Sequence, residues 1–518
     1  MTTAFMELLT LTPVRGKRVR GNYTGQLRAD VGEPVPLGRL LEWADARLLG
    51  SRESLGEPVR GLAIDSRALA PGDLFVALPG EHADGHQFLP DVVAKALAAL
   101  VSTPDPDLPL TQLVVGNVPG ALLSIAEGFR RRFPELTVVG ITGSVGKTTT
   151  KDYLGAVLGA FAPTVVSPGN MNTVYGVPLT LASLRSDTAL AVVEMGMQWA
   201  GEIASLAEVA RPKIGVVTAV GPAHLEFFSD VRAIALAKAE LLLALPEDGA
   251  AILPRECEFF RLLAERAPCP VVTFGLIVGD CRVERRRLHR RLNLAEDIRP
   301  SGSGVGRTSP NGSRFEVVWT PPKGIGSKPA RFEVELPTPG VHHVLSALRA
   351  AAVALVLGVP PELIAGKLTA AKITPLRGEV YRRGGLTILA DTYNANPLSM
   401  SAALETLATL TGRRVAVLGD MLELGPTAPR LHESVGAEAA ARGIAVLVAV
   451  GAFAEDIARG ARENGLEEVY TAADRVEALE ILKRVLRPGD VLLAKASRAL
   501  RLDLLLEDDA LEGYVEPN

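Results

Sequence analysis

The sequence predicts an α/β protein with two doubly wound, largely parallel sheets. A first series of apolar strands alternates with helical segments, at residues 190–194, 214–220, 250–253 and 271–274. An Ala-rich helical stretch at 345–357 precedes a second series, at residues 386–390, 414–418, 445–450, 468–470 and 491–494. This alternation is typical of parallel strands covered by helices on both faces. A chain of 518 residues also exceeds one ordinary core, so we expect several domains.

The composition argues against several classes of function. Hydrophobic residues make up 47% of the chain and charged residues 22%, as in globular proteins. The net charge of −4 and the pI near 6.1 argue against broad binding to nucleic acid. No apolar run approaches the roughly 20 residues of a membrane-spanning helix, and no secretory signal pattern begins the chain. Cys257, Cys269 and Cys281 have neither zinc nor redox spacing, which indicates reduced thiols. We therefore expect a cytoplasmic enzyme that does not insert into membranes.

The N-terminal region is irregular at first. Residues 1–35 combine basic residues with Gly and Pro without periodicity, and we interpret them as a flexible N-terminal extension or an overlong start. An amphipathic helix is expected at 37–44, followed by two short strands separated by a Pro-Gly turn. The tripeptide of Asp65, Ser66 and Arg67 is either a surface turn or an anion clamp, since hydroxyl and guanidinium groups together suit a phosphate.

A glycine-rich loop between a strand and a helix predicts a nucleotide site at residues 138–153. Gly143 and Gly146 allow a tight turn whose N–H groups point at phosphate oxygens. Lys147 adds a positive charge, and the hydroxyl of Thr148 is a magnesium ligand in such loops. The residues of this phosphate loop are Thr142, Gly143, Ser144, Val145, Gly146, Lys147, Thr148 and Thr149.

Polar residues follow the strands of the first series. Glu194 ends a buried strand, where a carboxylate faces the ligand crevice and can hold magnesium; a helix-capping or surface glutamate is the alternative. His224 follows the next strand and is either a packed histidine or a ligand. Lys238 lies in a helical segment, and its sequence context indicates an ordinary solvated lysine.

Three loops carry further groups able to form hydrogen bonds. Asn170 and Asn172 lie in a loop framed by Gly and Pro, where amides either form turns or bind a polar substrate. The segment 391–397 is a strand end that opens into a similar turn. The segment 495–498 follows the last strand and offers Lys, Ser and Arg side chains for gripping an anion or carboxylate.

The alternation is interrupted before the second series. An Arg-rich stretch at 282–291 and a Gly/Ser-rich stretch at 301–313 precede strand-like segments at 315–319 and 331–336. We interpret this region as an irregular peripheral excursion with a solvated charged face rather than a nucleic-acid patch.

Taken together, these motifs resemble the Mur ligases of peptidoglycan synthesis over about residues 36–505. The most specific marks are Thr-Gly-Ser-Val-Gly-Lys-Thr-Thr at 142–149, Tyr-Asn-Ala-Asn-Pro at 393–397 with Ser399-Met400, and Leu-Gly-Asp-Met-Leu-Glu-Leu-Gly at 418–425. The last two are most similar to the family's D-alanyl-D-alanine-adding branch. The Asp-Asn-Pro-Arg signature of the diaminopimelate-adding branch is absent from the sequence.

The resemblance implies three domains. They are a small α/β UDP-sugar-peptide-binding domain at 36–133, a central P-loop ATPase with a mostly parallel sheet at 134–376, and a C-terminal Rossmann-like domain at 377–518.

The resemblance also implies a role for each group in the polar clusters. Ser66 and Arg67 would hold the uridine-diphosphate end of the substrate, and Lys147 and Thr148 would hold ATP phosphates and magnesium. Lys238 matches a lysine that reacts with carbon dioxide to form a carbamate, which reverses its interpretation as a solvated side chain.

Other positions acquire roles from the same resemblance. Glu194 and His224 would hold metal, and two magnesium ions are expected, with Thr148 and Lys238 completing the ligand set. The residues expected to close over ATP are Arg377, Asp391, Tyr393 and Asn394. Those expected near substrates are Asn170, Asn172, Lys495, Ser497 and Arg498.

The sequence departs from the family pattern at three places. Leu253-Pro-Arg-Glu stands where the family commonly has Leu-Asn-x-Asp, so the resemblance implies no role there. His343 and Ser346 replace two amides, one of which is expected near adenine. Ala496 replaces a glycine on the side of the incoming dipeptide.

The activity implied is an ADP-forming acid–D-amino-acid ligase that works through an acyl phosphate. Its substrates would be UDP-N-acetylmuramoyl-tripeptide and D-alanyl-D-alanine, and a monomer with hinge closure between domains is expected. Other amino-acid-adding ligases, including folate-polyglutamylating enzymes, remain alternatives. A P-loop NTPase switch and a non-catalytic binder of the muramoyl peptide are further alternatives.

Overall fold

Three α/β units, each with its own sheet, make up the protein, as expected for the predicted fold class. The computed structural model describes residues 27–80, 84–276, 280–283 and 312–512. Our interpretation of residues 1–26, and most of that of 282–313, falls outside these ranges. No helix of the described chain is long and apolar enough to cross a membrane. All three cysteines are unpaired.

The first unit contains a six-stranded sheet in the order β1-β3-β4-β5-β6-β2. Strands β3 to β6 are parallel, and β1 and β2 run antiparallel at the two edges. The predicted N-terminal helix is confirmed as the first of three helices. The elements are β1 Arg28–Pro36, α1 Leu37–Trp43, β2 Arg47–Leu49, β3 Pro58–Ala63, β4 Asp73–Val76, α2 Leu89–Val92, β5 Ala98–Val101, β6 Gln112–Val114 and α3 Val118–Arg131.

The predicted flexible extension is wrong for residues 28–35, because β1 pairs with β3 and packs on the second unit. A Cβ at Gly32 would lie 2.3 Å from the carbonyl oxygen of Leu184, so only glycine allows this approach. Glu33 accepts a hydrogen bond from the Ser186 amide and pairs with Arg132. Local periodicity did not reveal the strand, since its partners are distant in sequence.

The second unit contains a nine-stranded sheet in the order β15-β14-β13-β12-β11-β10-β7-β9-β8. The strands are β7 Thr137–Thr142, β8 Thr164–Val166, β9 Leu190–Glu194, β10 Ile214–Val217, β11 Ala250–Pro254, β12 Val271–Gly275, β13 Cys281–Val283, β14 Ser313–Trp319 and β15 Ala330–Leu336. The helices are α4 Lys147–Leu158, α5 Gly176–Ala182, α6 Glu202–Ala210, α7 Val231–Leu243, α8 Phe260–Ala264, α9 Val341–Val356 and α10 Pro361–Ala370.

The peripheral excursion predicted before the second series is wrong for its two strand-like segments. β14 and β15 pair antiparallel with each other, and β14 pairs with β13, so they extend the central sheet. Phe315, Val317 and Trp319 are buried against α9 in the core of this unit. Their apolar alternation marks one buried face, which makes the segments part of the sheet rather than an appendage.

The third unit contains a six-stranded sheet in the order β16-β17-β21-β18-β19-β20, parallel except for β16. This confirms the predicted second doubly wound sheet. The strands are β16 Glu379–Arg383, β17 Leu386–Ala390, β18 Arg414–Gly419, β19 Val446–Val450, β20 Glu468–Ala472 and β21 Val491–Lys495. The helices are α11 Pro397–Thr409, α12 Ala428–Ala441, α13 Ala454–Glu463, α14 Arg475–Val485 and α15 Leu502–Leu506.

Apolar packing joins the first unit to the second unit, next to the site. One apolar cluster joins β-strand residues of the first unit to helices of the second, and includes Leu62, Leu74, Val177 and Ile203. In the central sheet, β9 and β10 flank β7 in parallel, with Ile141 opposite Glu194 and Thr142 opposite Val217. The loops after these three strands therefore emerge side by side at one edge of the sheet.

Candidate active site

A cavity of about 1080 Å³ opens where the three units meet. Its wall combines polar residues predicted from the sequence in each unit: Ser66, Arg67, Ser144, Lys147, Asn170, Asn172, His224, Tyr393, Asn394, Ser497 and Arg498. Thr148, Glu194, Lys238, Arg377, Asp391 and Lys495 are not part of this wall. The wall thus joins a phosphate loop to side chains from both other units.

The phosphate loop takes its shape from two glycines with positive φ. Gly143 has φ of 148° and Gly146 has φ of 81°. A Cβ at Gly143 would lie 1.9 Å from the Thr218 hydroxyl, which itself donates to the carbonyl of Val145 at 2.6 Å. α4 begins directly after Gly146, so its first N–H groups and its dipole face the loop. This geometry suits a phosphate.

Ser144 has a structural role within the loop. Its amide donates to the carbonyl of Ala219 at 2.8 Å, and its hydroxyl donates to the carbonyl of Gly221 at 3.0 Å. The amide of Gly221 donates back to the same hydroxyl. Ser144 therefore ties the phosphate loop to the loop that carries His224, and these contacts occupy its amide and hydroxyl.

Lys147 lies at the centre of the charged groups. Its Nζ donates to the carbonyl of Gly143 at 2.6 Å. Desolvation lowers its pKa, the carboxylates of Glu194 and Glu423 oppose that change, and the charge of Arg377 adds to it. Residues from two units therefore act electrostatically on one ammonium group.

Glu194 is buried at the end of β9 with one oxygen bonded and one unpaired. Its Oε1 accepts from Asn172 Nδ2 at 2.7 Å and from the Thr148 hydroxyl at 3.3 Å. Its Oε2 is buried without a hydrogen-bond partner. An orphaned carboxylate oxygen beside a hydroxyl fits a hard cation such as Mg²⁺.

The described residues contain no group of three or more His, Cys, Asp or Glu side chains placed to hold a metal. A cation at Glu194 would therefore depend on the Thr148 hydroxyl, phosphate oxygens and water. Magnesium commonly binds in this way, through one or two carboxylates and substrate phosphates.

The loop with Asn170 and Asn172 is anchored by a lysine that the sequence analysis missed. Lys151, on α4, is buried and donates to the carbonyls of Ser167 at 3.0 Å and Gly169 at 2.8 Å. Asn172 faces the cavity while its amide holds Glu194. Asn170 also lines the cavity, and its Oδ1 is buried without a hydrogen-bond partner. A buried lysine one turn into a helix gave no local signal.

Lys238 is buried on α7, not solvated as its sequence context indicated. Desolvation lowers its pKa well below the usual value; the charge of Lys147 adds to that change, and Glu240 opposes it. The uncharged amine is consequently favoured, and it is the form that reacts as a nucleophile.

His224 reaches across to the third unit. Its Nδ1 lies 2.5 Å from Oε2 of Glu423, whose Oε1 accepts from Gln198 Nε2 at 3.2 Å. The amide of Glu226 donates to the Glu423 carbonyl at 3.0 Å. Glu423 was not among the predicted site residues, although the motif at 418–425 contains it.

Arg377 and Tyr393 form a stacked pair, with the guanidinium carbon 3.9 Å from the ring centroid. The loop after β17 also touches the phosphate loop, because Asn396 Nδ2 donates to the Ser144 carbonyl at 3.2 Å. Asn396 caps α11 through a capping box with Ser399, which fixes this loop. The residue of this loop that contacts the phosphate loop is therefore Asn396, which was not among the predicted nucleotide-closing residues.

Lys495 and Asp391 pair with each other. The Lys495 ammonium lies 2.6 Å from Asp391 Oδ2 and donates to the carbonyl of Asn394 at 2.9 Å. Lys495 is 1% exposed, and desolvation lowers its pKa against the opposing charge of Asp391. This placement favours a positioning role for Lys495 over direct contact with a dipeptide.

Ser497 and Arg498 lie at the cavity but already have partners. The Ser497 hydroxyl accepts from the amide of Leu422 at 3.0 Å, and Arg498 pairs with Asp503 at 2.9 Å. Ser497 thereby helps to hold the loop that carries Glu423.

The tripeptide of Asp65, Ser66 and Arg67 in the first unit forms a turn and is also part of the cavity wall. The Arg67 guanidinium is exposed and lies 2.6 Å from Asp65 Oδ2. The other carboxylate oxygen, Asp65 Oδ1, accepts a hydrogen bond from the backbone amide of Arg67. This pairing holds the pKa of Asp65 below its usual value. The two sequence interpretations, turn and anion clamp, are compatible because Ser66 and Arg67 line the cavity.

A further residue that the sequence analysis missed, Arg349, lies behind the phosphate loop. Arg349, on α9, is 4% exposed, and a Cβ at Gly146 would lie 2.7 Å from its Nη1. It donates to the Ser346 hydroxyl at 3.2 Å and stacks over Phe274 at 5.0 Å. Its Nε has no hydrogen-bond partner, and burial lowers its pKa to about 9. His343 is fully buried on the same helix.

Three family models match the chain. The model described as Mur ligase family, catalytic domain, matches residues 58–118. The Mur ligase middle domain matches residues 141–354, and the Mur ligase, glutamate ligase domain, matches residues 376–498. The three matches fall on the three units in order.

Two curated relatives have the name UDP-N-acetylmuramoyl-tripeptide–D-alanyl-D-alanine ligase. The protein of Synechocystis sp. is 36% identical over 459 residues, which cover 87% of this chain and 92% of the relative. The protein of Escherichia coli strain K12 is 32% identical over 472 residues, covering 90% and 97%.

Solved structures of MurF enzymes are also similar to this chain. A crystal structure of MurF from Acinetobacter baumannii has a TM-score of 0.79 and 30% identity, covering 93% of this chain and 99% of its own. The MurF ligase of Thermotoga maritima in complex with ADP has a TM-score of 0.71 and 27% identity, covering 87% and 97%.

Proposed function

This chain belongs to the Mur ligase family, and from that membership we propose that it joins D-alanyl-D-alanine to UDP-N-acetylmuramoyl-tripeptide at the expense of ATP. The observation that carries the proposal is the cavity to which all three units contribute, with Ser144 and Lys147 of the phosphate loop in its wall. An ATP-consuming reaction on a nucleotide-linked substrate suits the cytoplasm, which we propose as its place of action.

The reaction needs activation because a carboxylate is a poor electrophile. Transfer of the γ-phosphoryl group of ATP to a carboxylate oxygen releases ADP and forms an acyl phosphate. The amine of D-alanyl-D-alanine, after loss of a proton from its ammonium form, attacks the carbonyl carbon. The nitrogen then loses a further proton and the carbon–oxygen bond to phosphate breaks, so that inorganic phosphate leaves as the amide forms.

The protein contributes chiefly by positioning reactants and neutralising charge. Lys147 and the first turn of α4 are proposed to hold the phosphates. Arg377, oriented by its stacking on Tyr393, lies close enough to Lys147 to affect its pKa, which supports a role beside the transferred group. Asn172 holds the Glu194 carboxylate in place.

We propose that two magnesium ions are bound, with Thr148 and Glu194 holding one and His224 and Lys238 contributing to the second. Bound magnesium supplies positive charge that stabilises the transferring phosphoryl group. The orphaned Glu194 oxygen beside the Thr148 hydroxyl supports the first of these two sites.

Lys238 is proposed to contribute as a carbamate. Its uncharged amine, favoured by burial, is the form that attacks carbon dioxide; the new nitrogen–carbon bond replaces an N–H bond, and one proton is released. Protein equilibrated with ¹³C-bicarbonate should show a carbamate carbon signal that Lys238→Met abolishes. An unchanged signal in the variant would exclude this lysine as its source.

Docking of the third unit on the phosphate loop supports the proposal that closure completes the site. The contacts are Asn396 with Ser144, and Glu423 with His224 and Glu226. Small-angle scattering should show compaction when an ATP analogue and the muramoyl peptide are added together. Identical curves with and without them would contradict a hinge step.

The direct test is ATP-dependent coupling, followed by mass spectrometry. The purified protein, which we propose to be a monomer, should add D-alanyl-D-alanine to UDP-N-acetylmuramoyl-tripeptides with lysine or diaminopimelate in third position when Mg²⁺ and bicarbonate are present. Lys147→Ala is the inactive control. Coupling of single amino acids instead would favour another amino-acid-adding branch, and ATP hydrolysis without any acceptor would favour an NTPase switch.

A further inference from the structure

Two residues on facing units adopt left-handed backbone conformations that residues other than glycine rarely take. His224, in the loop after β10, has φ of 61°, and Glu423, in the loop after β18, has φ of 62°. Such conformations persist where surrounding contacts impose them, and they cluster at functional sites. The two residues contact each other, since His224 Nδ1 lies 2.5 Å from Glu423 Oε2. Both unusual conformations therefore converge on one contact across the interface.

The contact determines which imidazole nitrogen bears the proton. An ionised carboxylate only accepts hydrogen bonds, so in the neutral ring Nδ1 of His224 must carry the hydrogen. Nε2 is then the nitrogen with a free lone pair, which is the form that binds a metal. In metal sites, a carboxylate bonded to the remote nitrogen commonly fixes both tautomer and ring orientation.

Glu423 is itself held on a braced loop. The amide of Met421 donates to His432 Nε2 at 2.8 Å, and the amide of Leu422 donates to the Ser497 hydroxyl. Asp420 accepts from two amides just before α13, those of Ala452 and Phe453. These contacts all lie within the third unit, so the Glu423 carboxylate moves with that unit.

Glu423 also lies in the electrostatic neighbourhood of the phosphate loop. Its charge acts on Lys147, as does that of Glu194. Gln198 Nε2 donates to its Oε1, which leaves the other oxygen directed at His224. Two residues of the second unit, Gln198 and His224, therefore also orient the Glu423 carboxylate.

We infer that Glu423 is a positioning residue that, when the third unit docks, fixes His224 in the Nδ1–H tautomer and so presents Nε2 to a divalent cation. Closure between units and formation of a cation-competent imidazole are then one event. The cation half of this inference rests on the proposed function, whereas the tautomer half does not.

The tautomer is tested first, on metal-free protein. The seven histidines can be labelled with ¹⁵N, and His224→Gln identifies the His224 resonances. The wild type should show His224 with hydrogen on Nδ1, and Glu423→Ala should shift it toward the Nε2–H form. Glu423→Gln keeps an accepting oxygen and should largely preserve the wild-type tautomer. An unchanged tautomer in Glu423→Ala overturns the inference, whether or not the enzyme activity is as proposed.

Cation binding is tested with Mn²⁺ by electron paramagnetic resonance in the presence of a non-hydrolysable ATP analogue. Glu423→Ala should weaken Mn²⁺ binding about 10- to 100-fold, as for other residues that orient metal ligands. In a His224→Ala background the same change should add little, because Glu423 acts through the imidazole. Additive losses would mean that Glu423 binds the cation directly, and equal affinity in all variants would remove the link to the cation.

Glu467→Ala is the matched control. Glu467 is an exposed carboxylate of the same unit, before β20 and so at the opposite edge of the sheet from the loop after β18. It should leave tautomer, Mn²⁺ affinity and circular dichroism unchanged. Circular dichroism of each Glu423 variant establishes that any loss is not due to unfolding.

Discussion

Asn172 and Glu194 are joined by a hydrogen bond of 2.7 Å between an amide nitrogen and a buried carboxylate oxygen. Glu194 is the last residue of β9 and Asn172 lies in the loop after β8, and Glu194 also accepts a hydrogen bond from Thr148 at the start of α4. Because the amide occupies Oε1, the unpaired Oε2 is the oxygen available to a cation. The orientation of the proposed metal ligand therefore depends on a residue that the sequence indicated only as a turn former or substrate contact.

Replacing Asn172 with Ala should lower the affinity for Mg²⁺ more than the affinity for ATP. Glu194 would lose its strongest hydrogen bond, and loss of such an orienting group lowers metal affinity or activity about 10- to 100-fold. The check is a Mg²⁺ titration of ATP-dependent coupling, with nucleotide affinity measured separately. Asn464→Ala, which removes an amide at the end of α13, should behave as wild type. An unchanged Mg²⁺ requirement in Asn172→Ala would argue against this role.

The Lys495–Asp391 pair should show strong coupling in stability. Lys495→Met leaves the partly exposed Asp391 carboxylate without its ammonium partner, and such an unpaired group costs about 1–3 kcal/mol. The double variant with Asp391→Asn should recover part of that loss, because neither charge then remains unpaired. Denaturant unfolding of the full chain measures the free energies of unfolding of the single and double variants. Lys483→Met, which breaks an exposed pair with Glu480, should cost less than about 1 kcal/mol.

Glu240 should make the protein less stable as pH rises from about 4.5 to about 6. Burial raises the pKa of its carboxyl from 4.5 to about 6, so in this window the folded state binds more protons than the unfolded state. Stability is therefore lost with rising pH, by about 2 kcal/mol for a shift of this size.

The check is the unfolding midpoint of wild type and Glu240→Gln at pH values across this window. The variant should lack this component of the decrease, whatever its absolute stability. Glu247→Gln, at an exposed position of the same unit, should follow the wild-type profile. Parallel profiles for wild type and Glu240→Gln would refute the assignment.

Arg349→Met should weaken nucleotide binding without destabilising the protein. The guanidinium is buried beside Gly146, and no carboxylate of the described part of the chain forms a salt bridge with it. A phosphate would supply the missing charge, and a hydrogen bond to a charged group contributes about 1.5–3 kcal/mol, or about 10- to 100-fold in affinity. Removing an unpaired buried charge also relieves its desolvation cost.

Calorimetric titration with an ATP analogue, together with thermal unfolding, separates these effects. Arg314→Met removes an exposed arginine paired with Glu333 and should alter neither measurement. Lower stability with unchanged nucleotide affinity would show that Arg349 serves only the packing of α9.

Several features were predictable because they depend on local chemistry. The phosphate loop follows from two glycines and a Gly-Lys-Thr sequence between a strand and a helix, and the cavity edge follows from polar residues after parallel strands. Strand β1 and the placement of β14 and β15 were not predictable in this way. The partner strand of β1 is distant in sequence, and the Gly and Pro residues of β1 interrupt any alternation of apolar and polar residues. The pairing of β13 with β14 likewise joins segments that are distant in sequence.

Sequence alone established the α/β class, the nucleotide loop and the set of strand-end side chains, since periodicity and turn chemistry are properties of neighbouring residues. Folding decided which of those side chains face the cavity and which pair with each other. Lys238 became a buried amine, Lys495 became the partner of Asp391, and Glu423 reached His224 from another unit. Burial and electrostatic environment arise from contacts between distant segments, 104 residues apart for Lys495 and Asp391 and 199 for His224 and Glu423, so only the tertiary structure could assign these roles.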